Sequence, residues 1–350
     1  MSEIGRIDSD GSIWHDLSVG VPVYSRPDEL RQLLASVHEL TVVPGEIVLS
    51  EDGSRERDML KGIAAEWAPR LATRGCDLRF VENERNLGYD GNVRSLFRKC
   101  TRRWVMLLGN DDVVLPDAAA SIRAFIERHP DIRMLSRSFV KFQRDPRMPQ
   151  SVSRLSHTDK VFGRRDSDAG MLFRTTAFFG GLVVDRMWAA GMDTDAYDGT
   201  LYYQIYLAAH IFAGAGIGYV AEPIVGARTG NPPLFGSASS EKAVHIPGSY
   251  TPAGRASMWH GVLRICADAE AATGVPMLRA VRKELDDRQS FHIFEMMARQ
   301  GRAATMQTAS RFWSLGLMRR PTSWLLFLYT LALGRRSSWL FDATRKMLQR

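Results

Sequence analysis

The sequence predicts an α/β fold built on one largely parallel sheet, followed by a helical extension. Segments with strand character alternate with segments of helical periodicity from residue 17 to residue 129. A polar stretch follows the apolar run of each predicted strand, and helical character continues from residue 255 onward. This order of elements favours a single mixed, mostly parallel sheet flanked by helices.

The first half of the chain contains four predicted strand and helix pairs. The strands are LSVGVPVYS, GEIVLSEDGS, DLRFVENERNLG and RWVMLLGNDD, and the helices are RPDELRQLLASVHEL, DMLKGIAAEWAPRLA, GNVRSLFRKC and PDAAASIRAFIERH. In the first helix, Leu30, Leu33 and Val37 recur at helical spacing behind a proline that suits a first turn. Residues 134–165 are predicted to be a basic, irregular surface connection, and IGYVAEPIVGAR a final strand.

Composition divides the chain into three regions. Residues 1–230 form the predicted α/β domain, residues 231–254 are rich in Gly, Pro and Ser and indicate a mobile loop or linker, and residues 255–350 are helical and basic. The whole chain has a net charge of +7, and residues 251–350 carry 16 lysines and arginines against seven aspartates and glutamates. A basic segment of this kind is typical of contact with nucleic acid or an anionic membrane.

Cysteine usage and the N-terminal sequence favour a cytoplasmic protein. The three cysteines are an odd number at unrelated spacings, which indicates neither a disulfide framework nor a zinc site. The first twenty residues are polar and acidic and lack the apolar segment of a signal peptide.

Polar side chains come at the carboxyl end of each of the first four predicted strands. They are Tyr24 and Ser25, Glu51 and Asp52, Asn83 to Asn86, and Asn110 to Asp112. Open α/β sheets bind ligands outside the carboxyl ends of their strands, so these clusters predict a site at one edge. The sequence contains neither a phosphate-binding P-loop nor a dinucleotide-binding glycine pattern.

The acidic pair Asp111 and Asp112 has two interpretations. The carboxylates cap the helix that begins near Pro116 or lie solvated in a turn, or they hold a hard divalent cation that carries a diphosphate. Asn110 can add a carbonyl ligand to such a cation.

Four segments, taken in order, resemble family 2 glycosyltransferases of the GT-A fold. They are VPVYSRPDELRQLLASV, EIVLSEDGS, NLGYDGNVRSL and WVMLLGNDDVVLPD, and the resemblance covers roughly residues 16–120, with weaker likeness to about residue 228. The combination NLGYDGN with LLGNDD is most similar to the transferases that add dideoxyhexoses, such as abequose, to lipid-linked O-antigen units.

The resemblance implies a nucleoside-diphosphate sugar as donor and Mn²⁺ or Mg²⁺ as cofactor. In the family, Pro22 and Tyr24 would flank the base, Asp52 would accept its hydrogen bond, and Asp111 would take the ribose or the metal. Tyr24 could equally be a core aromatic, and Glu51 could support only its turn. The implied donor-binding residues are Pro22, Tyr24, Ser25, Glu51, Asp52, Asn86, Gly88, Asn92 and Asp111, joined by Arg228 as a diphosphate contact, and the implied metal ligands are Asp112, Asp111 and Asn110.

The general base is harder to assign, because inverting members of the family take it from an acidic pair that this chain lacks. Tyr203 and Gln204 stand near that place, and neither supplies a carboxylate. We predict Asp198 as the base, with Asp195 second and Asp193 third.

Two alternatives accompany these choices. Asp198 could merely cap the helix that follows it. His245 could add a metal ligand or, as a lone loop histidine, lie in solvent.

The run from Trp324 to Leu333 is apolar except for Thr330, and arginine pairs flank it on both sides. It is too short to span a bilayer, so it predicts either an interfacial anchor on an anionic leaflet or a helix packed within the protein or an oligomer. No stacking platform for nucleic acid is recognisable, so nucleic acid is not an expected partner.

We therefore predict a metal-dependent, inverting glycosyltransferase that is peripheral on the inner face of the cell membrane. It would transfer a sugar to a hydroxyl of a polyprenyl-diphosphate-linked saccharide in cell-surface polysaccharide or O-antigen synthesis. A sugar nucleotidyltransferase and a non-catalytic sugar-binding protein at the membrane are the alternatives, and a homo-oligomer stays open.

Overall fold

The computed structural model describes residues 11–163, 166–339 and 341. Ten strands of this part of the chain form one sheet. They are β1 (Ile13–Val23), β2 (Val43–Glu51), β3 (Asp77–Glu82), β4 (Trp104–Leu107), β5 (Val113–Val114), β6 (Met134–Phe142), β7 (Ser151–Ser153), β8 (Lys160–Phe162), β9 (Leu182–Asp185) and β10 (Ile217–Arg228).

Helices cover both faces of the sheet and make up most of the chain after β10. They are α1 (Pro27–His38), α2 (Arg57–Ala72), α3 (Gly88–Lys99), α4 (Ala118–Arg128), α5 (Asp166–Ala169), α6 (Met171–Thr176), α7 (Arg186–Gly191), α8 (Tyr203–Gly214), α9 (Pro252–Thr273), α10 (Leu278–Glu284), α11 (Ser290–Gln300), α12 (Arg302–Ser314) and α13 (Pro321–Leu333). A π-helical turn (Leu285–Gln289) joins α10 to α11, and a 3₁₀ turn (Gly334–Arg336) follows α13.

The strand order β3-β2-β1-β4-β9-β6-β10-β5 makes the sheet mixed and mostly parallel, as predicted. Strands β1 to β4 pair in parallel, and so do β6 and β10. Strand β9 lies between β4 and β6 and is antiparallel to both. Strands β6 and β10 therefore run in the same direction as β1 to β4. The carboxyl ends of six strands thus share one edge, while β9 begins at that same edge.

The expectation of an irregular surface connection at residues 134–165 was wrong for its first part. Residues 134–142 form β6, which pairs with β9 and β10 in the interior of the sheet. Its charged residues hid this strand in the sequence, because Arg137 is buried within the protein while Lys141 is exposed.

Two apolar cores lie against the two faces of the sheet. One contains side chains of α1, α2 and α4, such as Leu33 and Phe125. The other contains α3 and α8 together with α9 to α12, and there the ring of Trp259 stacks on Phe312 with centroids 4.4 Å apart. The helices after β10 therefore bury apolar surface against the sheet domain. No helix within the described ranges is long and apolar enough to cross a bilayer.

Candidate active site

A cavity of about 300 Å³ opens at the edge where the parallel strands end. The loops after β1, β2, β3 and β4 form one side, and residues 231–250 after β10 form the other. Nine of the sequence-predicted residues line it: Pro22, Tyr24, Asp52, Asn86, Gly88, Asn92, Asn110, Asp111 and Arg228. The structure thus gathers residues from four strand ends around one space, as the parallel topology requires.

Asp52 is buried at the bottom of this cavity. Its Oδ1 accepts hydrogen bonds from the side chain of Asn83 (2.7 Å) and the N–H of Leu87 (2.8 Å), and its Oδ2 accepts from the N–H of Gly88 (3.0 Å). Burial raises the pKa of Asp52 to about 6, against the lowering effect of these bonds. The carboxylate is therefore held in one orientation with a face toward the cavity.

Two residues predicted to contact the donor do not line the cavity. Glu51 is fully buried and accepts hydrogen bonds from the N–H groups of Gly53 (3.1 Å) and Ser54 (2.6 Å), and it pairs with Arg57. Ser25 donates its hydroxyl to Glu56 at 2.6 Å. Glu51 stabilises the turn that carries Asp52.

Gly88 and Asn92 belong to the N-terminal turns of α3. Gly88 has φ of +78°, and a Cβ there would lie 2.7 Å from Oε1 of Glu241. The absence of a side chain therefore lets the loop after β10 pack closely against this residue. Asn92 bonds back to β2, with its amide donating to the carbonyl of Ser50 at 3.0 Å. Asn92 fixes the helix to the sheet beneath the cavity.

Asp111 meets a cation that the sequence did not indicate. Its Oδ2 forms an ion pair with Arg26 and accepts a hydrogen bond from Asn231 at 2.9 Å. Arg26 lines the cavity and has φ of +65°, and Ser25 before it has φ of +60°. Non-glycine residues in this region are strained, and such strain concentrates at functional sites.

Asp112 lies behind Asp111 and is 5% exposed. Its Oδ1 accepts a hydrogen bond from the N–H of Arg228 at 3.0 Å. Its Oδ2 lies so close to Gly180 that a Cβ added to this glycine would be only 2.4 Å away. Burial and the neighbouring charge of Asp111 raise the pKa of Asp112. The carboxylate is thus destabilised in its ionised form, which a nearby cation would relieve.

The acidic turn, residues 110–112, offers a divalent cation a small number of oxygen ligands. Oδ2 of Asp112 and Oδ1 of Asp111 lie 2.8 and 3.4 Å from the point that a Cβ on Gly109 would occupy, so one oxygen of each carboxylate borders Gly109. Asn110 donates its amide N–H to the carbonyl of Ser25 (2.9 Å), which leaves its carbonyl oxygen as a further hard donor. Among the described residues no group of three or more His, Cys, Asp or Glu side chains could hold a metal.

Arg228 ends β10 and crosses the acidic turn. Its Nε donates to the carbonyl of Asp111 (3.0 Å), its Nη1 to the carbonyl of Gln143 (3.1 Å) and its Nη2 to Gln32 (2.5 Å). The guanidinium stacks over Phe142 at 4.6 Å. These contacts make Arg228 a clamp on the turn that also borders the cavity.

Arg137 is a second cation that the sequence analysis missed. It lies on β6, is 3% exposed, and its guanidinium stacks over Phe178 at 4.7 Å while donating to the carbonyl of that residue at 2.9 Å. Burial lowers its pKa to about 9, and the charge of Asp112 opposes that shift. Among the described residues its Nε has no hydrogen-bond partner.

The three aspartates predicted for the general base do not line the cavity. Asp198 pairs with Arg94 at 2.8 Å, and Asp193 pairs with the same arginine at 3.2 Å. These contacts lie on the face of α3 that carries Gly91 and Arg94, whereas Gly88, Tyr89 and Asn92 face the cavity. A role for Asp198 or Asp195 as the base stays a prediction, and it requires movement from these positions.

Residues 231–250 form the outer wall of the cavity. Glu241 is buried at the cavity and accepts the N–H groups of Tyr89 and Gly236, each at 2.6 Å. The expectation of a solvated His245 was wrong, because its ring is buried and its Nε2 lies 3.2 Å from the carbonyl oxygen of Gly199. No sequence pattern marks Glu241, because its partners are far away in the chain.

Comparison with known proteins identifies the part of the chain that carries this site. The sequence profile of glycosyl transferase family 2 matches residues 18–184, which extend from β1 into β9 and include the acidic turn. Residues 18–184 form a family 2 glycosyltransferase domain.

Two curated relatives of this glycosyltransferase domain are themselves described as glycosyltransferases. The chain is 31% identical over 127 residues to the amylovoran biosynthesis glycosyltransferase AmsE of Erwinia amylovora, which is 36% of this chain and 46% of that protein. It is 25% identical over 119 residues to an uncharacterised glycosyltransferase of Haemophilus influenzae, which is 34% of this chain and 37% of that protein. The matched stretch spans less than half of either relative.

Solved structures agree on the GT-A fold of this chain. Residues 1–349 of Staphylococcus aureus TarS, in complex with UDP-GlcNAc, superpose with a TM-score of 0.61 at 13% identity over 95% of this chain and 92% of that one. The mannosyltransferase PcManGT of Pyrobaculum calidifontis, with GDP-Man and Mn²⁺, gives a TM-score of 0.50 at 15% identity over 95% and 87% of the two chains. At these identities the likeness concerns the fold.

Proposed function

We propose that this chain is a metal-dependent, inverting glycosyltransferase that uses a nucleoside-diphosphate sugar. The observation that carries the proposal is the cavity at the carboxyl edge of the sheet, where nine predicted residues of the family meet. Its acceptor would be a hydroxyl of a lipid-linked saccharide, and the product a cell-surface polysaccharide or O-antigen unit. The relative AmsE, described as an amylovoran biosynthesis enzyme, supports the polysaccharide assignment.

In the donor site, the carboxylate of Asp52 would accept a hydrogen bond from the nucleotide base. The carboxylate is fixed by two backbone N–H groups and one amide, so it can accept a further hydrogen bond without reorganising. Pro22 and Tyr24 line the same cavity and would provide an apolar surface for the ring. Arg26 and Arg228 also line it and would meet the diphosphate, since guanidinium groups suit phosphate oxygens.

Asp111, Asp112 and Asn110 would hold Mn²⁺ or Mg²⁺. A bound divalent cation neutralises the charge that develops on a departing diphosphate. Oδ1 of Asp111, Oδ2 of Asp112 and the carbonyl oxygen of Asn110 are the oxygens offered to it. The ion pair between Arg26 and Asp111 would hold the turn in place before the donor arrives.

Deprotonation of the acceptor hydroxyl requires a base at the cavity. The cavity-lining carboxylates are Asp52, Asp111 and Glu241, and the first two are assigned to the donor. We therefore propose Glu241 as the base in this conformation, with Asp198 as the base if the segment around it moves toward the cavity. Measured with saturating donor, Glu241→Gln and Asp198→Asn would separate the two, because loss of the base lowers kcat and leaves donor affinity intact.

The observed family and fold disfavour the two other functions considered from the sequence. A sugar nucleotidyltransferase would need a glycine-rich basic loop after β1, and residues 24–29 offer none. A non-catalytic sugar-binding protein would bind a donor without turnover. We place the enzyme on the cytoplasmic face of the cell membrane, where a lipid-linked acceptor would be reached.

Titration calorimetry with a panel of nucleoside-diphosphate sugars, in Mn²⁺ and in EDTA, tests the proposal. We expect one donor to bind at least about tenfold more tightly with Mn²⁺, and Asp112→Ala to remove that difference, because a charged ligand is lost. Asp131→Ala, at an exposed aspartate that does not line the cavity, is the matched control.

Two outcomes would contradict it. Donor binding that is equally tight in EDTA and in Asp112→Ala would remove the metal from the mechanism while leaving the transferase assignment. Failure of every donor to bind the folded wild-type chain would overturn the proposed function itself.

A further inference from the structure

Helix α13 packs Leu326 and Phe327 against the apolar core but also buries two polar residues on that side. Ser323 and Thr330 are fully buried, whereas Trp324, Leu325 and Leu328 are 40%, 66% and 55% exposed. Helices at protein surfaces normally bury their apolar stripe and expose their polar one. The outward face of α13 departs from this rule, because it is apolar although the helix already packs apolar residues inward.

Hydrogen bonds hold the helix in this orientation. The hydroxyl of Ser323 donates to Oδ1 of Asp286 at 2.6 Å, and the same carboxylate accepts the N–H groups of Met318 (3.0 Å) and Arg319 (2.8 Å) at the start of α13. Thr330 donates to the carbonyl of Leu326 within the helix at 2.7 Å. Because these buried polar groups are satisfied, rotating the helix to hide its apolar face would remove the Ser323 hydroxyl from the buried Asp286, which is costly.

Tryptophan rings extend the apolar face beyond α13. Trp313 is 62% exposed and meets the ring of Trp324 edge to face, with centroids 5.7 Å apart. Trp339, just past the helix, is 74% exposed. Tryptophan concentrates at the boundary between lipid and water, because its ring is apolar and its N–H is polar.

Arginines border this face at both ends. Arg319 and Arg320 precede the helix and Arg335 and Arg336 follow it, all four exposed, and Arg320 also pairs with Asp287 at 2.8 Å. In the described part of the chain, neither Arg335 nor Arg336 forms an ion pair. A face of this composition attracts an anionic surface.

A hollow of about 500 Å³ lies where the apolar face meets the second arginine pair. It is lined by Arg302, Leu333, Arg335 and Arg336 together with residues 301, 332 and 334. Arg302 donates to the carbonyls of Leu331 (2.9 Å) and Ala332 (2.7 Å), which caps the end of α13 and leaves its charge at the hollow. Three guanidinium groups beside an exposed leucine suit a phosphate attached to an acyl chain.

The dimensions and charges favour a lipid surface over other occupants. Thirteen residues of α13 span about 20 Å, short of the roughly 30 Å hydrocarbon core, so the helix would lie in the plane of the interface. Pairing of this face with a second copy about a two-fold axis would bring arginine borders against each other, and like charges repel.

We propose that the outward face of α13, with Trp313 and Trp339, inserts into the headgroup region of an anionic bilayer, and that the arginine hollow binds a lipid phosphate. This surface is separate from the cavity and does not depend on the reaction performed there. It holds the protein at the leaflet through apolar burial and charge together.

Flotation of the full chain with vesicles tests the proposal. We expect it to bind vesicles with 30 mol% phosphatidylglycerol and to bind pure phosphatidylcholine at least about tenfold more weakly, because three or more arginines face the lipid. The triple variant Trp324→Ser, Leu325→Ser, Leu328→Ser should lose binding to both. The pair Arg335→Glu, Arg336→Glu should lose mainly the preference for anionic lipid.

Matched controls alter equally exposed side chains elsewhere. Met59→Ser with Met148→Ser and Met187→Ser removes three methionines that are 54%, 75% and 65% exposed, and Arg55→Glu with Arg70→Glu makes the same charge change on the α2 side. Both should bind vesicles like the wild type, and circular dichroism should show every variant folded.

Three results would overturn the proposal. These are a wild-type chain that stays with the soluble fraction at anionic vesicles, a triple serine variant that floats like the wild type, and a lipid-free dimer that the triple variant converts to monomers without a change in flotation. The last would identify the face as an interface between copies.

Discussion

Asp52 and Asp286 use the same arrangement in two distant regions of the molecule. Each is 4% exposed, and each accepts the N–H groups of two consecutive residues, one on each carboxylate oxygen. Asp52 fixes residues 87 and 88 at the start of α3, and Asp286 fixes residues 318 and 319 before α13. Both aspartates therefore dock the beginning of a helix.

The two carboxylates differ in what the remaining lone pairs meet. Around Asp286, the hydroxyl of Ser323 occupies a further lone pair at 2.6 Å. The proposed lipid-binding face of α13 lies on the opposite, outward side of the helix. Asp52 borders the cavity. The protein seals Asp286 within its packing, whereas the cavity beside Asp52 leaves that carboxylate accessible for the proposed contact with the donor.

The largest effect should follow Asp52→Ala. Removing the carboxylate leaves the N–H of Leu87 without its acceptor and deprives Gly88 and the Asn83 amide of one of their two acceptors, which costs about 2–4 kcal/mol in the free energy of unfolding. Donor affinity should fall more than about tenfold, since the nucleotide base loses the carboxylate that accepts its hydrogen bond. Urea denaturation and calorimetry measure the two effects, and unchanged donor affinity in a folded variant would show that Asp52 only docks α3.

Asp286→Ala should lower the free energy of unfolding by a similar amount, about 2–4 kcal/mol, for the same reason. Here donor affinity should be unchanged, because the cavity is built from other elements, while vesicle binding weakens as α13 loses its fixed orientation. Equal loss of donor affinity in Asp286→Ala and Asp52→Ala would mean that the two regions are not independent.

The smallest effect concerns a third buried acid, Asp90, which accepts the N–H groups of Leu201 (2.7 Å) and Tyr203 (2.9 Å). Burial raises its pKa to about 7 from an ordinary 3.8, so the folded state binds this proton more tightly than the unfolded chain. Stability should therefore decrease as pH rises from about 4 to 7 and level off above. Between pH 6 and 7 this residue accounts for about 1 kcal/mol.

Asp90→Asn should flatten that part of the stability curve, measured by urea denaturation at pH 6, 7 and 8. Asp131→Asn, at an exposed position, should leave the slope unchanged. Parallel curves for the wild type and Asp90→Asn would show that Asp90 titrates alike in the folded and unfolded states. Asp52, with its pKa raised to about 6, contributes in the same direction mainly below pH 6.

The sequence was sufficient to predict the part of the fold in which strands and helices alternate regularly. Strands β1 to β4 and their helices follow the predicted segments within a few residues, and their polar ends meet as parallel topology demands. The glycosyltransferase family followed from four short segments within this region.

Residues brought in by long-range contacts could not be predicted. Arg26 and Asp111 are 85 positions apart, and Glu241 and Tyr89 are 152 apart, so no local pattern links them. Strand β6 was missed because a buried arginine in a sequence suggests a surface position. The burial of Ser323 on α13 depends on Asp286, a residue outside that helix, so the periodicity of α13 could not predict it.

The antiparallel position of β9 and the late position of β10 have a consequence for biosynthesis. Strands β1 to β4 complete one side of the sheet with residues 13–107, but β9, at residues 182–185, must pair with β4 before β6 and β10 can join the same sheet. The wall of the cavity needs residues up to 250. On the ribosome, a nascent chain therefore gains its sheet half before it gains a place to bind a nucleotide.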